Sequence, residues 1–200
     1  MKVYKITPQG FASNSYILTA DGKNAVIIDC AQPRVFSLCR EKGLTPQAVL
    51  LTHGHFDHVC GCAKFCEEGV KIYCGESEKD FIFCDDNKSL FGVKIPHFDI
   101  FKTLSDGEEI EIAGIKIKTV FTPGHTAGSV CYIAEDSLFS GDTLFCESVG
   151  RTDLPTGNAG EIIKSVKKLF ALKGNYKVYC GHDSDTTLEQ ERNFNPYAKY

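Results

Sequence analysis

The sequence contains no apolar run that approaches the roughly 20 residues needed to span a bilayer as a helix. Its first ten residues, MKVYKITPQG, alternate like a strand and lack the apolar stretch of a secretory signal peptide. Basic residues are not in excess, since 22 Lys and Arg face 26 Asp and Glu and the formal net charge is -4. These absences argue against membrane insertion, secretion and a nonspecific grip on nucleic acid. We therefore expect a cytoplasmic protein.

The composition is that of an ordinary globular protein, with 42% hydrophobic and 24% charged residues. Two hundred residues predict one domain, 1–200, without a linker or a short-period repeat. Ten cysteines would suit a disulfide framework, but without a secretion signal reduced thiols are the better interpretation. The densest group, Cys60, Cys62 and Cys66, is predicted to be structural rather than metal-binding or redox-active, because it lacks the paired spacing of a zinc or iron–sulfur site.

Apolar periodicity and turn residues divide the chain into short strands and helices. Strands are predicted over 2–7, 14–19, 24–29, 48–51, 71–74, 108–112, 115–121, 129–134, 137–140 and 176–180. Helices are predicted over 34–42, 58–67, 159–172 and 186–194, with an irregular helical stretch over 76–91 and a loop-rich segment over 92–107. Helices follow strands in each half, which fits two packed sheets with helices outside, a layered α/β arrangement.

The segment Thr52-His53-Gly54-His55-Phe56-Asp57-His58 follows the predicted strand 48–51 directly. It places four potential metal ligands within six residues at the end of a buried strand. His and Asp are costly to bury without partners, and a metal ion would supply the missing partner. In an extended segment residues 53, 55 and 57 project to one side, and the small Gly54 permits a tight backbone path.

Three further potential ligands also lie beside glycine where predicted strands end. They are His125 in TPGHT, Asp142 in SGDTLF and His182 in CGHD. Functional residues of layered α/β folds tend to gather at such strand ends. His97 is the exception among the histidines: it follows Pro96 in the irregular loop and is interpreted as a loop residue, with the wall of a substrate pocket as the alternative.

These blocks resemble a known family. THGHFDH is similar to the HxHxDH signature of the metallo-β-lactamase superfamily, and TPGHT, SGDTLF and CGHD follow in that family's order over essentially the whole chain. The chain looks most like the short, glyoxalase II-like (hydroxyacylglutathione hydrolase-like) branch, which shares the GRTDLP segment at 150–155. The resemblance implies a four-layer αββα sandwich with metals at one edge between the two sheets.

The resemblance also implies a ligand set. His53, His55 and His125 would hold one metal, Asp57, His58 and His182 a second, and Asp142 would bridge both. Asp57 and Asp142 are the carboxylates expected to take part in catalysis, and Asp29 is expected to fix a ligand imidazole. We expect two divalent ions, with zinc favoured and iron or manganese as alternatives.

Such a site suits hydrolysis of a small thioester. Two cations about 3.5–4 Å apart lower the pKa of a bridging water and polarise a carbonyl, so a metal-bridged hydroxide is the expected nucleophile. A thiolate leaves easily, because thiol pKa values lie near ~8.5. Arg151 and Tyr197 are candidates for contacting an anionic substrate, with a loop salt bridge and a packed terminus as the alternatives. Only 18 residues follow His182, so we expect no carboxyl-terminal helical domain for holding glutathione.

The runner-up interpretation is a persulfide dioxygenase with one iron bound by His53, His125 and Asp142. Lactonase or β-lactam hydrolysis and a non-catalytic binding module are weaker alternatives. RNA processing is disfavoured by the acidic charge. The expected partner is thus a small-molecule substrate, and neither nucleic acid nor a membrane.

Overall fold

The strands form two six-stranded sheets in the computed structural model, which describes residues 1–7, 10 and 12–199, apart from the side chains of residues 88, 89 and 91. The first sheet contains β1 (Lys2–Ile6), β2 (Ser15–Thr19), β3 (Asn24–Ile28), β4 (Thr45–Leu50), β5 (Lys71–Gly75) and β6 (Lys102–Leu104), in that spatial order. The first three strands pair antiparallel, and β3 to β6 pair parallel.

The second sheet is built from the other half of the chain. In chain order the strands are β7 (Glu109–Ile112), β8 (Ile115–Phe121), β9 (Val130–Ala134), β10 (Ser137–Gly141), the small hairpin β11 (Leu144–Phe145) and β12 (Ser148–Val149), then β13 (Lys177–Cys180) and β14 (Thr186–Thr187). The hairpin stands apart, and the six-stranded sheet has the order β14-β13-β10-β9-β8-β7. Because β8 and β10 are both antiparallel to β9, and β13 is parallel to β10, their carboxyl ends lie at one edge.

Short helices cover the outer faces of the sheets. They are α1 (Arg34–Glu41), α2 (Phe56–Val59), α3 (Cys62–Glu67), α4 (Glu78–Ile82), α5 (Asp85–Ser89), α6 (Ala159–Phe170) and α7 (Leu188–Phe194), with 3₁₀-helices at Leu90–Gly92 and Pro196–Lys199. The longest, α6, begins where the Asn158 side chain accepts hydrogen bonds from the backbone N–H groups of Gly160 and Glu161. In the part of the chain that the structure describes, no helix is long and apolar enough to cross a membrane.

Three apolar clusters separate four layers. In β2, Ile17 faces α1 and α3 while Leu18 faces the second sheet, as the alternation of strand side chains requires. Leu18 belongs to the cluster between the sheets, together with residues such as Tyr132 and Phe139. A third cluster packs the outer face of the second sheet against α6 and α7. The predicted αββα sandwich is therefore confirmed.

Some elements differ from the sequence-based prediction. The helix expected over 58–67 is two helices, because the Gly61 N–H donates to the Cys30 carbonyl at 2.8 Å and the Asp57 carbonyl accepts from the Ser13 N–H instead, which replaces the helical bond between Gly61 and Asp57. β6 lies in the segment expected to be a loop, and the hairpin β11–β12 was not predicted. The last helix begins at Leu188 rather than near 186, because residues 186–187 pair with β13 and the Thr187 side chain caps the helix.

Candidate metal centre

The seven predicted ligands come together at one edge of the two sheets. His53 and His55 lie in the segment after β4, and Asp57 and His58 lie in α2. His125, Asp142 and His182 follow β8, β10 and β13, whose carboxyl ends meet at the same edge. Four connections from distant parts of the chain thus converge on one point.

His53, His55 and His125 form the first ligand set, with one ligand atom of each within 4.8 Å of the others. Nδ1 of His55 lies 2.9 Å from Nε2 of His125. The rings meet edge to face, with centroids 4.7 Å apart for both the His53–His125 and His55–His125 pairs. Two imidazole nitrogens at this distance either share a proton in a hydrogen bond or bind a common cation.

Asp57, His58 and His182 form the second ligand set, and Asp142 lies between the two. Nε2 of His182 is 3.2 Å from Asp57 Oδ2 and 3.4 Å from Asp142 Oδ2. The Asp142 carboxylate also lies 3.3 Å from His58 Nε2 and 3.5 Å from His125 Nε2. Asp142 therefore reaches members of both sets, which is the position that a bridging carboxylate needs.

Hydrogen bonds on the far side of three imidazoles fix which nitrogen faces the centre. Nδ1 of His58 lies 2.8 Å from Asp29 Oδ2, and Nδ1 of His125 lies 2.8 Å from the carbonyl oxygen of Arg151. Nδ1 of His53 is 3.1 Å from Thr52 Oγ1, which itself donates to Asp29 Oδ2 at 2.7 Å. Since these acceptors bind the proton on Nδ1, Nε2 is the nitrogen of each ring that faces the centre and is available to a metal ion.

Asp29 occupies a distinctive backbone position at the end of β3. Its φ angle is 54°, in the left-handed region that a non-glycine residue adopts at a local cost. Its carboxylate accepts from the Thr52 N–H at 2.7 Å as well as from the Thr52 hydroxyl and His58. The turn therefore places one carboxylate within hydrogen-bonding distance of Thr52, which precedes the ligand His53, and of the ligand His58 in α2.

Burial shapes the protonation of the first set. It lowers the pKa of His53 well below its ordinary value, with further lowering from the nearby His58 and His125. Burial and His125 likewise lower the pKa of His55 to about 3. Both imidazoles are thus neutral at physiological pH, which is the form that binds a metal ion.

The second set has the opposite electrostatics. Burial lowers the pKa of His58, but Asp142, Asp29 and Asp57 outweigh it and raise that pKa well above its ordinary value. Burial is likewise outweighed at His182, where the Asp142 and Asp57 carboxylates raise the pKa to about 9. The carboxylates therefore favour positive charge here, which either a proton or a metal cation can supply.

The donor atoms fit divalent metal ions. Nε2 of His53 is buried without a hydrogen-bond partner among the described residues, and the buried Nε2 of His58 and Oδ1 of Asp142 lie 3.3 Å apart without forming a hydrogen bond. An unsatisfied buried polar group costs roughly 1–3 kcal/mol, and a cation would remove that cost. Imidazole and carboxylate ligands suit zinc, iron or manganese.

The family model of the metallo-β-lactamase superfamily matches residues 8–182. The chain belongs to this superfamily. Hydroxyacylglutathione hydrolase GloC of Haemophilus influenzae is 34% identical to it over 98% of each chain. The probable metallo-hydrolase YqgX of Bacillus subtilis is 32% identical over 92% of each chain. These relatives support a metal-dependent hydrolase.

Solved structures of the superfamily share the fold. The BLEG-1 B3 metallo-β-lactamase superimposes with a TM-score of 0.93 at 31% identity over the whole of both chains. TTHA1623, solved in a di-iron-bound form, superimposes with a TM-score of 0.84 at 30% identity over 97% of this chain and 99% of that one. ETHE1 from Myxococcus xanthus gives 0.81 at 25% identity over 98% and 84%.

In this superfamily member a cleft of about 810 Å³ opens onto the ligands. Its walls are mostly apolar, and they include Ala12, Phe56, Val93, Phe145 and Leu154. Three aspartates line the cleft: the proposed ligands Asp57 and Asp142, and Asp183, which follows the ligand His182. The cleft therefore suits a small, largely apolar molecule whose reacting group reaches the metal ligands.

The two candidate substrate residues have different positions. Arg151 lines the cleft, and its guanidinium is paired with Asp153 through bonds of 2.7 and 2.6 Å. Tyr197 is not among the described residues that line the cleft; it packs against the cluster under α6 and α7. Tyr197 thus has the packing expected of a packed terminus, and its contact with substrate stays a prediction. His97 is an exposed loop residue, 3.7 Å from Asp99.

Of the residues that hold the ligand-bearing segments, Asp29 was predicted from the sequence, whereas Thr52, Glu78 and Asn87 were not. Thr52 bridges Asp29 and His53, and its place at the head of the histidine block was the available signal. Glu78 and Asn87 lie in α4 and α5, where no motif marks them. Both are fully buried and contact the segments around Gly54 and Thr126.

Proposed function

We propose that this protein is a thioester hydrolase that uses two divalent metal ions, with zinc favoured over iron or manganese. The observation that carries the proposal is the convergence of two ligand sets on Asp142, which lies within 3.5 Å of ligand nitrogens from both. Asp57, His58 and His182 gather beside the first set, where together with Asp142 they offer ligands for a second ion. The hydrolase relatives support the same class of reaction.

The bound ions would activate water as a nucleophile and polarise the carbonyl of the substrate. The protein's own groups orient the ligand imidazoles and exclude bulk water. Asp29 and the Arg151 carbonyl hold His58 and His125 in fixed tautomers. The Asp57 and Asp142 carboxylates offset the positive charge, and the apolar wall of Phe56 and Phe145 keeps bulk water from the reacting carbonyl.

The cleft suits a thioester better than an amide. A thiolate leaves without a strong general acid because thiol pKa values are near ~8.5, whereas an amide nitrogen has to be protonated as it leaves. Among the titratable residues that line the described cleft, all except Arg151 and Asp183 are proposed metal ligands. A guanidinium is not suited to donate that proton near neutral pH, and the amide reaction would therefore depend on Asp183 alone.

The test begins with metal content. The protein would be purified anaerobically without chelator, analysed for metals and assayed with glutathione and uncharged-thiol thioesters, an oxygen ester and an amide. We expect two metals per chain, preferential thioester cleavage, and loss of activity with chelator that is restored by metal. Asp142→Asn should lower kcat/KM on the order of 100-fold or more and release metal, whereas Asp136→Asn, at the exposed turn before β10, should do neither.

One iron per chain together with oxygen consumption in the presence of a persulfide would overturn the proposal in favour of the dioxygenase. Two metals per chain without cleavage of any thioester would also contradict it. That outcome would leave the metal centre intact and remove only the assigned substrate class.

A further inference from the structure

Glu78 is a buried acidic residue outside the ligand set. It is the first residue of α4, immediately after the segment that follows β5, and none of its surface is exposed to solvent. Burying an acidic side chain is costly unless hydrogen bonds compensate for lost water. The partners of the carboxyl group therefore show what it does.

One carboxyl oxygen binds the segment that follows the ligand His125. The Thr126 hydroxyl donates to Glu78 Oε1 at 2.5 Å, and the Gly128 N–H donates to the same oxygen at 3.0 Å. Thr126 also lies 2.7 Å from the hydroxyl of Ser129, which closes the turn. Glu78 thus holds the backbone next to one histidine of the first ligand set.

The other oxygen faces Gly54, the residue between the ligands His53 and His55. Oε2 packs against Gly54 without a hydrogen-bond partner among the described residues, and a Cβ on Gly54 would lie 2.8 Å from it, closer than real Cβ contacts allow. The Asn87 amide of α5 donates to the Gly54 carbonyl at 2.8 Å and to the Ile82 carbonyl at 3.0 Å. Residues of α4 and α5 therefore also contact Gly54, in the segment that carries His53 and His55.

We propose that Glu78 is a positioning residue that ties the Thr126–Gly128 turn to Gly54 and so sets the approach of His55 and His125 to a shared metal ion. The inference rests on the proposed metal site and extends it to the residues behind the ligands. The 2.9 Å separation of the His55 and His125 nitrogens is the distance that this contact would control. Groups that orient metal ligands typically contribute 10- to 100-fold in metal affinity.

The test compares Glu78→Met, which keeps the length of the side chain but removes both acceptors, with Glu78→Gln, which keeps one. The control is Glu191→Met. Glu191 is equally buried and accepts from Thr186, Asn195 and the Glu147 N–H, at α7. Cobalt-loaded proteins would be titrated with a chelator while the visible cobalt spectrum and the released metal are followed.

We expect Glu78→Met to release one of the two metal equivalents at about 10- to 100-fold lower chelator concentration, with a changed cobalt spectrum. Glu78→Gln should restore most of the affinity, and Glu191→Met should lower the melting temperature without moving the chelator midpoint. If Glu78→Met retains the wild-type midpoints and spectrum, or Glu191→Met shifts them equally, the proposal is wrong.

A second pair of variants covers the case in which Glu78→Met does not fold. Thr126→Val removes the hydroxyl that Glu78 binds, and Thr126→Ser keeps it. The proposal requires weaker binding of one metal in the valine variant alone, and equal binding in the two contradicts it. Since the readout is metal binding, its failure is distinct from a failure to hydrolyse thioesters.

Discussion

Replacing Glu78 by glutamine should change how stability depends on pH. Burial raises the pKa of Glu78 from 4.5 to about 7, against the lowering effect of the hydrogen bonds from the Thr126 hydroxyl and the Gly128 N–H. The folded state thus binds a proton more tightly than the unfolded state does. The free energy of unfolding of the wild type should therefore fall as the pH rises from about 4.5 to about 7. In this range the unfolded chain has lost the Glu78 proton, and folding has to take up a proton or bury the ionised carboxylate.

The size of the effect follows from the pKa difference. One pKa unit corresponds to about 1.4 kcal/mol, so the complete effect is about 3 kcal/mol and roughly 2.5 kcal/mol of it falls between pH 5 and pH 8. Nearby groups do not obscure it, since burial raises the pKa of Cys74 to about 12 and that of Tyr132 well above its ordinary value. Glutamine cannot ionise, so the free energy of unfolding of Glu78→Gln should rise by roughly 2.5 kcal/mol relative to that of the wild type between pH 5 and pH 8.

The assay is urea unfolding of both proteins between pH 5 and pH 8, with chelator present so that metal binding does not contribute. The ligand histidines titrate in both proteins, and their contribution largely cancels in the difference. The infrared band of a protonated carboxyl, present in wild type and absent from Glu78→Gln, gives an independent titration that should have its midpoint near pH 7. A stability difference that does not vary with pH would refute the reasoning.

Three other predictions concern separate parts of the structure. Asp29→Asn should weaken metal binding by about 10- to 100-fold in chelator competition, because Asp29 accepts from His58 and twice from Thr52; unchanged affinity would exclude that role. Asp153→Ala frees the Arg151 guanidinium and should lower KM for an anionic thioester about two- to five-fold, but not for a neutral one; equal effects on both would show that Arg151 does not contact the anion. All ten cysteines are free thiols and Cys146 is exposed, so a disulfide reagent should modify one thiol rapidly in the native protein. Cys146→Ser should abolish that fast phase, and a fast phase that persists would contradict the assignment.

The spacing of apolar residues predicted the strands and helices whose formation depends on their own residues. The alternation in Ile115–Phe121 gave β8 with its observed bounds, and the apolar spacing in α6 gave its start at Ala159. β6 escaped prediction because its three residues, Lys102–Leu104, form a strand only by pairing with β5. The break between α2 and α3 likewise depends on the hydrogen bond from the Gly61 N–H to the Cys30 carbonyl, a contact between distant segments.

The same distinction separates the ligands from the residues that hold them. Metal chemistry restricts ligands to a few residue types, and strand ends bring those types together, so His125 and His182 were predictable from sequence. A residue that holds a ligand-bearing segment has no such restriction, because any buried acceptor in reach of a backbone N–H will serve. Glu78 and Thr126 are 48 positions apart, and the helix that Glu78 begins has five residues. Only the packed fold reveals that this carboxyl group lies behind two ligand-bearing segments at once.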